Sequence, residues 1–230
     1  MQPLTTVLSW IALPLVLLPG PLFAGEEGVE AEEPPSPEVQ IAGAVLPAPP
    51  DERESATVLG YTDEGELVTL RKGEGRLICL ADDPTREGFH SACYHRDLEP
   101  FMARGRELRE KGLERSEVQE IRKREIEEGS LFYPEGPRAL YSLTGPAGSF
   151  DPETEELEDA RRVYVLYIPY ATEESTGLTS RQMTPGGPWI MSSGEPWAHV
   201  MVVQAPESED SEEEADPKDE REGADGSEED

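Results

Sequence analysis

Positive charge is scarce in this chain, which sets 20 Lys and Arg against 50 Asp and Glu for a formal net charge of −30. A surface of that sign repels phosphate backbones, so nucleic acid is not an expected partner and an anionic membrane surface is disfavoured. Cysteine is limited to Cys79 and Cys93, and histidine to His90, His95 and His199, so thiolate or imidazole chemistry has only these five positions to use. Long apolar runs are lacking too. The segment from Val7 to Leu18 is broken by Pro14 and falls short of the roughly 20 residues that a membrane-spanning helix needs. Gly-x-Ser-x-Gly, His-Glu-x-x-His, Gly-rich phosphate loops and an Asp-rich calcium loop are all missing. With 50 carboxylates, any acid–base pair can be assembled by choice. The residues therefore lean away from an enzyme.

The two ends read differently from the middle. Residues 1–24 have the form of a signal peptide: an apolar stretch, then Pro19 and Pro21, then Leu22-Phe23-Ala24 ahead of the acidic Gly25-Glu26-Glu27, which places cleavage after Ala24. The chain is accordingly expected outside the cytoplasm, secreted or periplasmic, with no stable membrane insertion after cleavage. Residues 25–54 combine Glu with six prolines around a short apolar interval from Val39 to Leu46, and are expected to form an extended disordered arm. Residues 207–230 are Glu, Asp, Ser, Gly and Ala apart from Pro217, with Lys218 and Arg221 the only cations. They are expected to form a disordered acidic tail that either solubilises the chain or attracts cations, Ca²⁺ or basic proteins.

Between the ends, residues 55–206 make one domain of ordinary size. Ala56–Tyr61, Glu66–Arg71 and Arg76–Leu80 are β-favouring runs separated by Thr62-Asp63-Glu64-Gly65 and Lys72-Gly73-Glu74-Gly75, which predicts a three-stranded antiparallel meander. Leu98, Phe101, Met102, Gly105 and Leu108 then recur at helical spacing, with Asp97 placed to cap, Pro100 in the first turn and Gly112 as a stop. A second helix is expected through Val118, Ile121 and Ile126, opened by a Ser116/Gln119 capping box and closed by Gly129. Strands return in Ala139–Leu143, Val163–Ala171 and His199–Gln204, around a polar insertion. The apolar, aromatic run Val163–Ile168 predicts a central strand covered on both faces. The expected fold class is α+β: a mostly antiparallel sheet, an N-terminal meander joined by C-terminal strands, with a two-helix insertion packed on one face.

Two cysteines in an exported domain argue for a Cys79–Cys93 disulfide. Closing a loop of about 15 residues would stabilise the fold by roughly 3 kcal/mol. The rival is a metal site, because His90, Cys93 and His95 form a His-x-x-Cys-x-His cluster and His199 supplies a fourth donor of the kind that Zn²⁺ or copper takes. The spacing matches no zinc pattern, so no metal or other cofactor is expected. The remaining unusual stretch holds two Pro-Trp steps, Pro188-Trp189 and Pro196-Trp197, ahead of His199. Trp189, Trp197 and His199 either line an aromatic pocket for a small ligand, or plug the end of the core with His199 donating to a backbone carbonyl; the second reading is favoured.

Cys79-Leu80-Ala81-Asp82-Asp83-Pro84, Cys93-Tyr94-His95, Leu98-Glu99-Pro100-Phe101-Met102, Pro185-Gly186-Gly187-Pro188-Trp189-Ile190-Met191 and Ala198-His199-Val200-Met201 together resemble a group of exported bacterial proteins with no assigned activity. The resemblance runs from about Ala56 to Val203. It implies an export route and one compact domain. The functional expectation is a non-enzymatic module of the cell envelope that binds a small molecule or an envelope protein. The alternative is a metal-dependent enzyme or metal carrier using His90, Cys93, His95 and His199.

Overall fold

The computed structural model describes residues 34–204 of the chain. The proposed signal segment, residues 25–33 of the N-terminal arm and the whole of the acidic tail lie outside them. In order, the chain forms α1 (Pro37–Val45), β1 (Thr57–Tyr61), β2 (Leu67–Arg71), β3 (Leu77–Leu80), β4 (Phe89–His95), α2 (Glu99–Glu110), α3 (Arg115–Glu127) and β5 (Arg138–Gly145). There follow β6 (Phe150–Asp151), β7 (Glu156–Leu157), β8 (Arg161–Tyr167), α4 (Glu173–Thr176), β9 (Trp189–Met191) and β10 (His199–Gln204). Eight strands make one sheet in the order β2-β1-β3-β4-β5-β8-β10-β9, and β6 and β7 form a small separate ladder. Every pair in the large sheet is antiparallel except β1 with β3, so the fold is α+β as the sequence predicts.

The N-terminal arm is the first correction. Residues 37–45 are helical, and Gln40, Gly43, Ala44 and Val45 are buried. Ser36 caps the helix by accepting from the Val39 amide, and Pro37 occupies the first turn, where its missing N–H costs nothing. The apolar side of α1 lies on β1, β3 and β4 and joins Ala44, Val45, Val58, Leu77, Cys79 and Cys93 in one core cluster. Gly43 brings the helix close: a Cβ there would stand 3.2 Å from the Phe89 ring. Gln40 fastens it. Its amide donates to the carbonyls of Pro35 (2.8 Å) and Tyr61 (2.9 Å), and its oxygen accepts from the Tyr61 amide (2.8 Å).

The meander is the second correction. β1 and β2 form the expected hairpin, but β3 pairs with β1 in parallel, on the side away from β2. The Lys72–Gly75 segment is therefore a crossing and not a turn. It passes over the chain entering β1 so tightly that a Cβ on Gly73 would lie 2.2 Å from the Ser55 carbonyl oxygen. Polar contacts hold the crossing: Gly75 donates to the Ser55 carbonyl (2.8 Å), and Thr57 Oγ1 accepts from the Gly73 amide (3.1 Å).

Register sorts the side chains onto two faces. Val58, Cys79, Cys93, Phe89 and Leu143 lie on the α1 side; Tyr61, Ala92, Tyr94, Val165 and Tyr167 lie on the other. On that second side α2 presents Glu99 and Arg106 to the Tyr94 hydroxyl. Both expected helices form, with shifted starts. Asp97 does not cap α2 but accepts two hydrogen bonds from Arg138 (2.8 and 2.7 Å), and the capping box of α3 is Glu114 with Glu117. β8 is central, as expected, yet it is covered on one face only: Val165 is buried, whereas Tyr164 and Leu166 remain 36% and 42% exposed.

Replacing Gln40 by Leu keeps the volume but leaves the Tyr61 N–H, the Tyr61 carbonyl and the Pro35 carbonyl without partners. Gln40→Leu is expected to destabilise the fold by about 2–4 kcal/mol, at roughly 1 kcal/mol per orphaned group or more. The check is the urea unfolding midpoint, and an unchanged midpoint would remove α1 from the cooperative core.

Candidate functional site

The cysteines resolve as expected. Cys79 and Cys93 stand opposite each other in the β3–β4 ladder, their Cα atoms 4.0 Å apart, joined by a disulfide and fully buried. The Ala44 carbonyl of α1 covers the bond, its oxygen 3.3 Å from Cys93 Sγ. Cys93 is thus oxidised, with no thiolate to offer a metal.

The histidines do not meet. His90 and His95 sit five positions apart on β4, about 17 Å along a strand, and their parity puts them on opposite faces. His199 lies on β10, separated from β4 by β5 and β8. Each ring has a local partner. His95 Nδ1 accepts from the Asp97 amide (3.2 Å), and His199 Nδ1 donates to the Trp197 carbonyl (2.8 Å) beside the Tyr167 ring. Among the described residues no group of three or more His, Cys, Asp or Glu side chains is placed to hold a metal ion.

Trp197 is 6% exposed and packs against Phe101 of α2 (5.7 Å between centroids), with the buried Arg122 guanidinium 3.8 Å above the Phe101 ring. Trp189 pairs with Met201 on the β9–β10 edge. Trp189, Trp197 and His199 line neither of two clefts found at the other end of the sheet.

Those two clefts are separated by the loop from Asp82 to Gly88, which links β3 to β4. On the α1 side is a cavity of about 480 Å³ floored by Val39, Gly43, Phe89 and Phe150. Phe89 and Phe150 pack at 5.3 Å, and Pro35, Pro84 and Pro152 form stiff walls. Its polar groups are few. Gln40 is already saturated, and Asp82 accepts from the His90 amide (2.9 Å) while burial raises its carboxyl above the ordinary range. On the α2 side is a wider cleft of about 1080 Å³, bordered by Tyr61, Leu80, Arg86, His90, Arg106 and Arg109.

His90, on the border of the wider cleft, also belongs to a pair that sequence reasoning missed, because its partner, which does not line the cleft, is 52 positions away. His90 Nε2 lies 3.2 Å from Ser142 Oγ. A nucleophile–base pair would need Nε2 to accept the hydroxyl proton. Here Nδ1 faces the Arg86 guanidinium at 3.5 Å, a group that can only donate. In the tautomer that accepts from Arg86 at Nδ1, Nε2 carries the hydrogen and donates to Ser142. Burial, and then the Arg86 charge, also hold the His90 pKa below its usual value.

No protein-family model, curated protein or solved structure matches this chain. Nor is any helix of the described residues long and apolar enough to cross a membrane.

His199, like His90, is held below its ordinary pKa by burial. The unfolded chain therefore takes up protons at a higher pH than the folded one, so stability is fully present above the unfolded value of about 6.5 and falls as pH drops below it. Each such histidine contributes up to about 1.4 kcal/mol per pH unit in that window. The urea midpoint is expected to drop between pH 7.5 and 5.5, and His90→Gln with His199→Gln to flatten the drop. Equal slopes for the variant and the natural chain would contradict the assignment.

Proposed function

We propose that this chain is an exported, non-enzymatic binding module of the cell envelope, and that its ligand is a small molecule with an apolar body and one hydrogen-bonding polar group. The observation that carries this reading is the cavity between α1 and the 82–88 loop. At about 480 Å³ it falls within the size range of small-molecule sites, and its floor is aromatic and aliphatic. Its polar edge, Asp82 and Arg86, would orient a ligand without reacting with it. The binding reading gains further support from the group beside His90 Nδ1, which is the Arg86 guanidinium and not the carboxylate that orients a catalytic imidazole. Export is supported by the leader-like character of residues 1–24 and by a disulfide of the kind that persists in oxidising compartments.

Protein recovered from an exporting host is expected to begin at Gly25 and to show no free thiol under denaturing conditions. An intact Met1 with two titratable thiols would overturn the export reading.

Anilinonaphthalene sulfonate, an apolar ring system with a single anionic group, is a suitable probe for the cavity. One equivalent is expected to bind the native chain with enhanced fluorescence. Ala147 is exposed at the rim, so Ala147→Trp fills the mouth without touching the core, and is expected to weaken binding at least fivefold; Val39→Trp, from the floor, should do the same. Undiminished binding by both variants, with native near-ultraviolet dichroism, would place the ligand elsewhere.

A further inference from the structure

The border of the smaller cavity carries three charges, two of them negative: Asp82 and Asp83 against Arg86. Its other lining residues are uncharged. Among the described residues none of the three has an ion-pair partner, so the carboxylates are not spent on the guanidinium that shares their loop. Neutral groups hold them instead. Asp82 Oδ1 accepts from the His90 amide (2.9 Å), and Asp83 Oδ1 accepts from the Thr85 amide (3.0 Å) and hydroxyl (2.7 Å). Arg86 Nη1 lies 3.5 Å from Nδ1 of His90, which lines the wider cleft. Asp83 borders both clefts, whereas Asp82 borders the cavity and not the wider cleft. Burial and the Asp83 charge raise the Asp82 pKa, and its backbone donors and Arg86 offset only part of that rise. A cation delivered by a ligand would complete the compensation.

We propose that the polar group of the cavity's ligand is a protonated amine, so that the site takes an organic ammonium ion, its apolar body on Val39, Phe89 and Phe150 and its charge at Asp82. This rests on the reading of the cavity as a small-molecule site. A primary ammonium is a compact cation with three donors, and its hydrogen bonds to a carboxylate belong to the strong, charge-assisted kind.

The other polar groups of the wall do not compete for that role. Gln40 has both its donor and its acceptor satisfied within the fold, and the remaining lining residues offer backbone or apolar atoms. A carboxylate or phosphate on the ligand would meet two like charges at the mouth for one opposite charge. The formal charge of −30 on the whole chain acts in the same direction, since a negative surface raises the local concentration of cations and repels anions. Anilinonaphthalene sulfonate, whose single charge is negative, therefore reports the apolar floor and not the preferred head group.

The test titrates the full chain at pH 7 and physiological ionic strength with three probes of one shape: 1-naphthylmethylamine, 1-naphthalenemethanol and 1-naphthoate, each followed by its own fluorescence. The amine is expected to bind one to one and at least about fivefold more tightly than the alcohol, and the acid more weakly than either. Asp82→Asn keeps an oxygen for the His90 amide and Asp83→Asn keeps one for Thr85, so both remove charge without removing those hydrogen bonds. Together they are expected to bring the amine within about twofold of the alcohol, whose own affinity stays as it was. Equal affinity for amine and alcohol in the natural chain would overturn the ammonium assignment and leave the cavity as an apolar site. A preference that survives both substitutions would also overturn it, by placing the amine elsewhere. Binding of none of the three would remove the cavity reading, and this inference with it.

Discussion

The amide of Gln40 is the contact on which the N-terminal half of the sheet depends. A nine-residue helix is too short to persist on propensity alone, so α1 exists because it is held against the strands. Gln40 does the holding with a side chain that bonds both the donor and the acceptor of Tyr61 at the end of β1. Once the helix is fixed there, Gly43 and Ala44 are forced onto Phe89 and Cys93, the disulfide is sealed from water, and the small-ligand cavity gains one wall. A helix placed a turn away would leave Val58 and both cysteines open to solvent.

What the sequence makes legible is what rests on local chemistry. The two central helices carry a 3.6-residue period and glycine stops, and both form between those stops; Gly112 and Gly129 adopt positive φ. The β1–β2 hairpin and the disulfide rest on signals within about 15 residues of chain, and both hold. α1 was signalled as well, by Ser36-Pro37-Glu38 ahead of the apolar interval from Val39. Six prolines in 30 residues outweighed a cue four residues long. Composition averages over a window, whereas a cap acts at one position. The β2–β3 connection fails for a different reason. A hairpin turn and a strand crossing both call for glycine, and only the approach to Ser55, distant in sequence, separates them. Both clefts share that difficulty, since their walls come from three or more segments between Pro35 and Pro152.

The 82–88 loop gives the two clefts one partition. Arg86 borders both, and its guanidinium also stands 3.5 Å from His90 Nδ1. A carboxylate at the Nδ1 position would have oriented the imidazole to accept from Ser142, the arrangement of a hydrolase. A guanidinium stands there instead, and burial together with its charge lowers the basicity of the ring. The same arginine thus stands beside the imidazole on one side of the sheet and supplies the polar edge of the cavity on the other.

Charge in this chain is better read by position than by sum. Of the 50 carboxylates, 14 lie in residues 205–230 and 31 in residues 34–204, where 18 Lys and Arg accompany them. Several of those cations are spent on neighbours: Arg104 on Glu107 and Glu125, Arg138 on Asp97, Lys123 on Glu195. Exposed pairs of this kind contribute little stability, and their geometric effect is to occupy the cations that a negatively charged segment would otherwise meet. Arg86 and Arg109 escape that pairing among the described residues, yet they border a cleft that Glu66, Asp83 and Glu110 border too, so even there the local charge is mixed and not basic.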